Sequence, residues 1–351
     1  MPQSRTIAVI GAGIAGTTCA RTLTQAGQHV HVFEKSAGAG GRMATRASPF
    51  GGFDHGAQYF TVRDARFELA LKTAPGLCKP WSANTVQVLD DHGRVAAAAL
   101  PAREAHWAPI PGMNALVRHW AQPLLDRQQL SLETRVTRIT HDPQHPRRWQ
   151  LHTVGPDSGS DHHRQLFTGF DAVLLATPAW QARELLQNSE IGTDLVKRID
   201  TVHVAPCWTL MLAFPQAMQP GFMTLGPQWN AARSTHHRIA WLARESSKPG
   251  REPVERWTVQ ANASWSREHF DDDAARASAK LHKAFSEVTG IRAEPAYAAA
   301  HRWAYAKTER PLGISHLWDA RHGIGVCGDW CIGHRVEDAF VSGLELALAS
   351  A

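Results

Sequence analysis

The stretch Gly11-Ala12-Gly13-Ile14-Ala15-Gly16 has the residue types and spacing to hold a pyrophosphate. Gly11 permits a tight turn, and Gly13, without a side chain, lets a phosphate come close to the backbone. Gly16 lets a helix lie against a sheet. A helix that starts at such a turn offers unpaired N–H groups and a partial positive charge. Glu34 follows eighteen residues after Gly16. A carboxylate at this distance accepts hydrogen bonds from a ribose diol and repels a 2′-phosphate. Together these residues predict a bound ADP-ribose group.

The elements needed to place them surround them. Thr6–Ile10 is a short apolar run that reads as a strand. Ile14, Thr18, Cys19, Leu23 and Ala26 recur at helical spacing, and His29–Glu34 reads as a second strand, ending on the acid. Strand, glycine turn, helix and strand is the order of a Rossmann-type dinucleotide-binding βαβ unit. Gly38-Ala39-Gly40-Gly41-Arg42-Met43 then makes an open loop, with Arg42 placed to reach back to a phosphate through its planar fork.

Composition narrows the class. The chain has 351 residues, 43% hydrophobic and 20% charged, which is ordinary for a globular protein able to bury two cores. No apolar run is long enough to span a membrane, and the first apolar run belongs to the glycine motif, not to a signal peptide. The net charge of +5 comes without a lysine/arginine block, so nucleic acid is not an expected partner. The five scattered cysteines suggest a reduced, cytoplasmic setting and no metal site. The pairs His162-His163 and His236-His237 read as solvated loops. Of the 13 tryptophans, Trp149, Trp208, Trp241, Trp257 and Trp303 lie in strand-like segments and read mainly as core.

Further along, Asp64–Ala74 reads as a helix capped by Asp64, and Trp81–Leu100 as short strands around an Asp90-Asp91-His92-Gly93 turn. A helix over Ala115–Ala121 and one strand over Leu130–Thr140 follow, then a strand over Trp149–Val154 and a polar turn over Gly155–Asp161. The apolar run Phe170-Asp171-Ala172-Val173-Leu174-Leu175-Ala176-Thr177-Pro178 reads as a strand covered on both faces, with Pro178 suited to the first turn of a helix over Ala179–Gln187. Between Asp194 and His301 alternating strands dominate, with one helix over Asp273–Thr289. This predicts a largely antiparallel sheet with a helix against it. Gly323–Asp329 is a strand ending in Gly328-Asp329, and Arg335-Val336-Glu337-Asp338-Ala339 opens a last helix.

The glycine unit, the strand ending in Glu34-Lys35 and the Gly-Gly-Arg that follows resemble the start of the flavin amine oxidase superfamily. Gly41–Arg46, Phe53–Thr61, Trp241–Gly250, Trp265–His269 and Ala300–Trp303 are similar to segments of renalases, particularly bacterial ones. The resemblance spans nearly the whole chain. It implies an α/β fold of p-hydroxybenzoate hydroxylase or amine oxidase topology, in two domains. Residues 1–62, 112–186 and 320–351 would bind FAD, and residues 63–111 and 187–319 would form a mainly antiparallel α+β substrate domain. FAD, held without a covalent tether, would lie against Gly11–Gly16, Glu34, Lys35, Gly41, Arg42, Met43, Ala57, Gln58, Val136, Ala176, Gly328, Asp329, Arg335, Val336 and Ala339. In such proteins the Asp of Gly-Asp binds a ribityl hydroxyl, and the next helix points its N-terminus at the flavin N1/C2=O edge.

The resemblance also implies the reaction: oxidation of 2- and 6-dihydro forms of NAD(P) to NAD(P)+, with hydride passing to flavin N5 and dioxygen returning as hydrogen peroxide. Gln58, Tyr59 and the His301-Arg302-Trp303 segment would face the flavin and order the ring, and Arg233, Arg244 or Arg302 would meet substrate phosphate. A monomer or homodimer is expected. Two other readings stand beside this one, a flavin amine oxidase and a non-catalytic flavin-binding redox module. The amine oxidase usually frames its flavin with tyrosines, of which this chain has Tyr59, Tyr297 and Tyr305. An NAD dehydrogenase on a plain Rossmann fold does not account for Gly328-Asp329.

Overall fold

The side chains of Thr6–Ile10 divide between two cores, and this decides where the first sheet lies. Ile7 and Val9 pack with the helix Ile14–Gln25 and with Phe340 and Leu346 of the helix Val336–Ser350. Ala8 and Ile10 pack on the other face with Phe33, Trp149, Phe170 and Leu186. The computed structural model describes residues 4–81, 86–97, 104–155, 164–218 and 229–351. The sheet has six strands in the order Leu317–Asp319, Ile324–Val326, Ala172–Leu175, Thr6–Ile10, His29–Phe33 and Leu130–Ser131. Only the first pair is antiparallel. The parallel strands therefore deliver Gly11, Glu34, Ala176 and Gly328 to one edge, the ligand edge of open α/β sheets.

A seven-stranded sheet forms the other half. Its order is Tyr297–Arg310, His203–Phe214, Glu255–Ala261, Ile239–Arg244, Ala231–Ser234, Val86–Leu89 and Val95–Ala97. All neighbours are antiparallel except Ala231–Ser234 with Val86–Leu89. Trp208, Leu210, Leu212, Trp257 and Val259 face the helix Ala274–Thr289 and meet its Ala277, Leu281, Ala284 and Phe285. Asp273 caps that helix by accepting from Arg276 N at 2.8 Å. The alternate residues of the same strands face the segment Phe53–Phe60, and this face carries the site.

Several expectations need correction. Leu130–Thr140 is two strands, because Glu133 adopts φ 51° and turns the chain. Leu130–Ser131 stays in the parallel sheet, while Arg135–His141 joins Trp149–Val154 and Arg164–Phe170 in a three-stranded antiparallel sheet. The helix that begins at Ala115 runs on to Asp126, since Leu124 continues its buried stripe. The helices Thr193–Ile199 and Ala263–Glu268 and the strand Ala231–Ser234 were not anticipated. His236 is buried rather than solvated: its Nδ1 accepts from Arg238 N at 3.1 Å, and its Nε2 lies 3.4 Å from Glu287. His162-His163 and most of the expected Gly155–Asp161 turn lie outside the described residues. All five cysteines are free thiols. Among the described residues no helix is long and apolar enough to cross a membrane.

Candidate active site

The glycine turn is built by exclusion. Gly11 sits at φ +106°, and a Cβ there would come 2.7 Å from Ala176 O. A Cβ on Gly16 would lie 1.9 Å from Gly11 O, so helix and turn meet only because it is absent. Gly13 differs: a Cβ there would meet only Gly41 Cα, at 3.9 Å. Open space at Gly13 is what a close-lying pyrophosphate requires. Ala12 O accepts from Gly40 N at 3.0 Å, which folds the loop before Gly41–Met43 over the turn. Ile14 and Ala15 open the helix with their side chains in the core.

Glu34 is buried, and its two carboxylate oxygens accept from Ala12 N and Ser36 N, each at 2.8 Å. Each oxygen keeps a lone pair for a further donor. Lys35 beside it is exposed. Ala176 N donates to Ile10 O at 2.8 Å, fixing the next strand end beside the turn. Val136 pairs across from Thr153 and packs its side chain on the second core. Met43 sends its side chain into the first core, so only its backbone is available to a ligand.

Arg42 and Asp329 come together from opposite ends of the chain. Arg42 Nη1 donates to Asp329 Oδ2 at 2.9 Å, and Nη2 donates to Oδ1. The guanidinium thus rests on the Gly-Asp carboxylate, where the sequence suggested a phosphate for one and a ribityl hydroxyl for the other. Gly328 N donates to Ser342 Oγ at 2.8 Å. Arg335 caps the final helix, its N–H and that of His334 each 2.9 Å from Asp338 Oδ2. Val336 and Ala339 form the first turn of that helix.

The segment Phe53–Phe60 links the two sheets. Ala57 N donates to Arg42 O at 2.8 Å, and Phe60 pairs with Trp107. Trp303 Nε1 donates to His55 O at 2.8 Å, and Gln260 Nε2 to Gly56 O at 2.7 Å. The His55 ring lies 5.0 Å from Trp303 and 4.9 Å from His301. Burial, His301 and Arg46 push the His55 imidazole down to about 4, and burial also lowers His301. Tyr59 lies 4.0 Å from His106, 5.8 Å from Trp241 and 6.3 Å from Trp81, centre to centre.

Three expected site residues are engaged within the chain, namely Gln58, Arg302 and Arg244. Gln58 is buried, and its carboxamide is engaged within the chain: Oε1 accepts from Lys248 Nζ at 3.1 Å, while Nε2 donates to Asp54 O and to Gly56 O. These bonds tie the segment to Lys248. Arg302 lies on the opposite face of its strand from His301 and Trp303, over Phe270 and Trp208. Strand alternation makes this unavoidable. Arg244 lies over Trp257 and beside Glu255, also on the helix-covered face. Arg233 is paired across strands with Trp241, so it shares the side that holds Tyr59.

A buried ionic cluster lies behind Gln58. Lys248 Nζ is 2.9 Å from Glu245 Oε1 and 3.1 Å from Asp54 Oδ2, with no side-chain exposure at any of the three. Asp54 also accepts from Thr45 Oγ1 at 2.7 Å, Met113 N at 2.8 Å and Arg251 at 2.6 Å. Burial alone would raise the Asp54 carboxyl, but Lys248 and Arg251 hold it down at about 2. Glu245 goes the other way: burial outweighs Lys248 and raises it.

Comparison with known proteins now places this geometry. A model of NAD(P)-binding Rossmann-like domains matches residues 9–69. A model of flavin containing amine oxidoreductases matches residues 97–349. The chain belongs to the flavin-containing amine oxidoreductase family. Its fold is that of solved flavin oxidases. A putative protoporphyrinogen oxidase from Exiguobacterium sp. 255-15 is similar at TM-score 0.73 and 14% identity, over 99% of this chain and 98% of that one. Cyclohexylamine oxidase from Brevibacterium oxydans IH-35A is similar at TM-score 0.69 and 14% identity, over 99% of both chains. A redesigned putrescine oxidase is similar at TM-score 0.69 and 11% identity, over 99% and 98%.

The cofactor of this flavin oxidoreductase is of the FAD type, and the open space at Gly13 with the spare lone pairs of Glu34 fits its nucleotide half. Sequence reasoning passed over His55, Asp54, His106, Glu245, Lys248 and Arg251. Ser246-Ser247-Lys248-Pro249-Gly250 has the composition of a surface loop. One signal was present: Arg256, Thr258 and Gln260 alternate with Trp257, Val259 and Ala261, which marks a strand whose polar side has its own partners.

Proposed function

We propose that this flavin oxidoreductase oxidises the 2- and 6-dihydro isomers of NAD(P) to NAD(P)+. Bound FAD would supply the hydride acceptor at N5 and pass the electron pair to dioxygen, which with one solvent proton becomes hydrogen peroxide. The observation that carries this reading is the make-up of the side facing Phe53–Phe60. Its candidate reagents are flat rings and imidazoles whose protonation burial disfavours: Tyr59, His106, Trp241, His55, His301 and Trp303. A dihydropyridine already carries the electron pair that leaves, and aromaticity drives the loss. It needs a surface that orders its ring, more than a base.

Tyr59, with the tilted ring of His106 against it, would order the nicotinamide, and His301 and Trp303 would close the opposite side through His55. Gln58 would act through the segment it holds. Of the three candidate arginines, Arg233 is favoured for substrate phosphate, since Arg244 and Arg302 lie behind the sheet. The division into an FAD-binding part (1–62, 112–186, 320–351) and a substrate part (63–111, 187–319) belongs to the same proposal.

A second reading, amine oxidation, is favoured by the family itself. One experiment separates the two. Isomeric dihydronicotinamides, added without air to the purified yellow protein, should bleach its visible band, and readmitted air should yield one peroxide per substrate consumed. Bleaching by cyclohexylamine or putrescine alone would replace this reading with the amine oxidase. Bleaching by neither class would leave a non-catalytic flavin-binding module.

A further inference from the structure

The ionic cluster behind Gln58 has no part in moving a hydride, yet it is the most deeply buried charge in the site. It is a poor source of stability. A buried ion pair replaced by apolar side chains of similar volume generally leaves a protein as stable or more so. What such a cluster does supply is orientation, and Gln58 shows how.

An ammonium only donates, so the amide oxygen of Gln58 must face Lys248. The carbonyls of Asp54 and Gly56 only accept, so the amide nitrogen must face them. A flipped amide would set N–H against N–H and oxygen against oxygen. Lys248 itself has no freedom, because its three donors meet Asp54, Gln58 and Glu245. The chain of constraint therefore runs from Glu245 and Asp54 through Lys248 to Gln58, and from Gln58 to the turn Asp54–Gln58. Lys248 Nζ also lies 5.5 Å from the centre of the Trp81 ring, which borders Tyr59.

We propose that Lys248 is a positioning residue: through the Gln58 carboxamide it fixes the Asp54–Tyr59 turn, and with it the placement of His55 and Tyr59 against the flavin ring. This rests on the reading that the turn borders that ring. Lys248 touches neither cofactor nor substrate in this account.

The test compares the wild type, K248M/E245Q, Q58L and the triple variant. K248M/E245Q removes one charge of each sign, and Asp54 keeps Arg251, Thr45 and Met113. Near-UV circular dichroism of the apoprotein reads the aromatic cluster around Tyr59. The visible spectrum and midpoint potential of bound FAD read the surroundings of the ring. K248M/E245Q and Q58L should shift all three in the same sense, and combining them should add nothing. Additive shifts would overturn the proposal. So would a folded K248M/E245Q with a wild-type flavin spectrum and potential, which would make the cluster a strut. If K248M/E245Q does not fold, Q58E takes its place: its carboxylate keeps the ammonium but cannot donate to Asp54 O and Gly56 O, so the turn must open and the flavin band must shift as in Q58L. An unshifted band in Q58E would equally sink the idea. If the flavin readouts move in none of the variants while the apoprotein signal moves without additivity, the proposal is overturned at its last link: Lys248 sets Gln58, but the turn does not border the ring.

Discussion

The two ends of the proposed site, one for the nucleotide and one for the ring, are held by opposite means. At the nucleotide end the backbone does the holding: Gly11, Gly13 and Gly16 matter for the Cβ they lack, and Glu34 answers main-chain N–H groups. At the ring end the side chains hold the backbone: Gln58, Gln260 and Trp303 each donate to a carbonyl of Asp54, His55 or Gly56. The first arrangement is sensitive to added bulk and nearly indifferent to charge. The second is sensitive to charge, because one of its anchors, Gln58, is itself held by ions without solvent. Substitutions that exchange these sensitivities would break the comparison.

The largest effect belongs to the ring end. Lys248→Met leaves Asp54 and Glu245 buried with one cation fewer, and should destabilise the protein by about 3–5 kcal/mol in a urea titration. K248M/E245Q should recover most of that loss. Acid unfolding adds a second reading. Asp54 is held down at about 2, so its contribution is complete above the ordinary carboxylate range and is lost only as pH falls towards that value. Without Lys248 the acid limb should begin at higher pH.

His55 should govern a different pH window. Burial, His301 and Arg46 lower its imidazole to about 4 from the ordinary 6.5. A lowered value means that the unfolded chain takes up the proton first. The contribution is therefore present above about 6.5 and fades as pH falls towards about 4, with a full size of about 3 kcal/mol. His55→Phe should flatten the stability profile over that window and leave the more acidic limb, set by Asp54, in place. An unchanged slope between those two pH values would show that another group carries the titration.

The same contrast explains what was legible beforehand. The nucleotide end could be read because its requirements are local: three glycines and an acid fall within one βαβ unit, and each spacing follows from backbone geometry. The parallel strand Ala172–Leu175 and the helix Ala274–Thr289 were legible for a similar reason, since their burial is written in apolar periodicity. The ring end was not. Lys248 and Asp54 are separated by 194 positions, and a lysine between serines and a proline looks like any solvated loop. Gln58 was noticed by resemblance without its partners, because the direction of its amide depends on an ammonium that only the folded chain brings near. Arg302 was misplaced beside His301 and Trp303, although strand alternation alone would have turned it to the other face. The bend at Glu133 had no signal, because φ 51° at a glutamate is rare and no glycine marked it.

Glycine substitutions sharpen the nucleotide side of the comparison. Gly13→Ala meets only Gly41 Cα at 3.9 Å, so the apoprotein should unfold within about 1 kcal/mol of the wild type. Its affinity for FAD should fall by about tenfold or more, because the new methyl takes the room left for the pyrophosphate. Gly16→Ala should do the reverse in the apoprotein, since its Cβ would lie 1.9 Å from Gly11 O and the helix must move. Thermal denaturation without cofactor and a fluorescence titration with FAD separate the two outcomes. Equal loss of apoprotein stability in both variants would remove Gly13 from the phosphate site.

The smallest effect is the most specific. Arg233 is exposed, sits opposite Trp241 and acts on His106, whose ring lies tilted against Tyr59. A charge-assisted hydrogen bond to one phosphate contributes about 1.5–3 kcal/mol, so Arg233→Ala should raise KM for a dihydronicotinamide dinucleotide by about tenfold. The rate of flavin reduction at saturation should stay near that of the wild type, because a distant phosphate contact binds ground and transition states alike. Arg302→Ala provides the control. Its guanidinium lies over Phe270 on the helix-covered face, so KM should stay within about twofold of the wild type. A dihydronicotinamide mononucleoside without phosphate should feel neither change. If that truncated substrate lost as much as the dinucleotide in Arg233→Ala, Arg233 would be acting through His106 and Tyr59 on the ring, and the ring end would extend along the strand to the edge of the sheet.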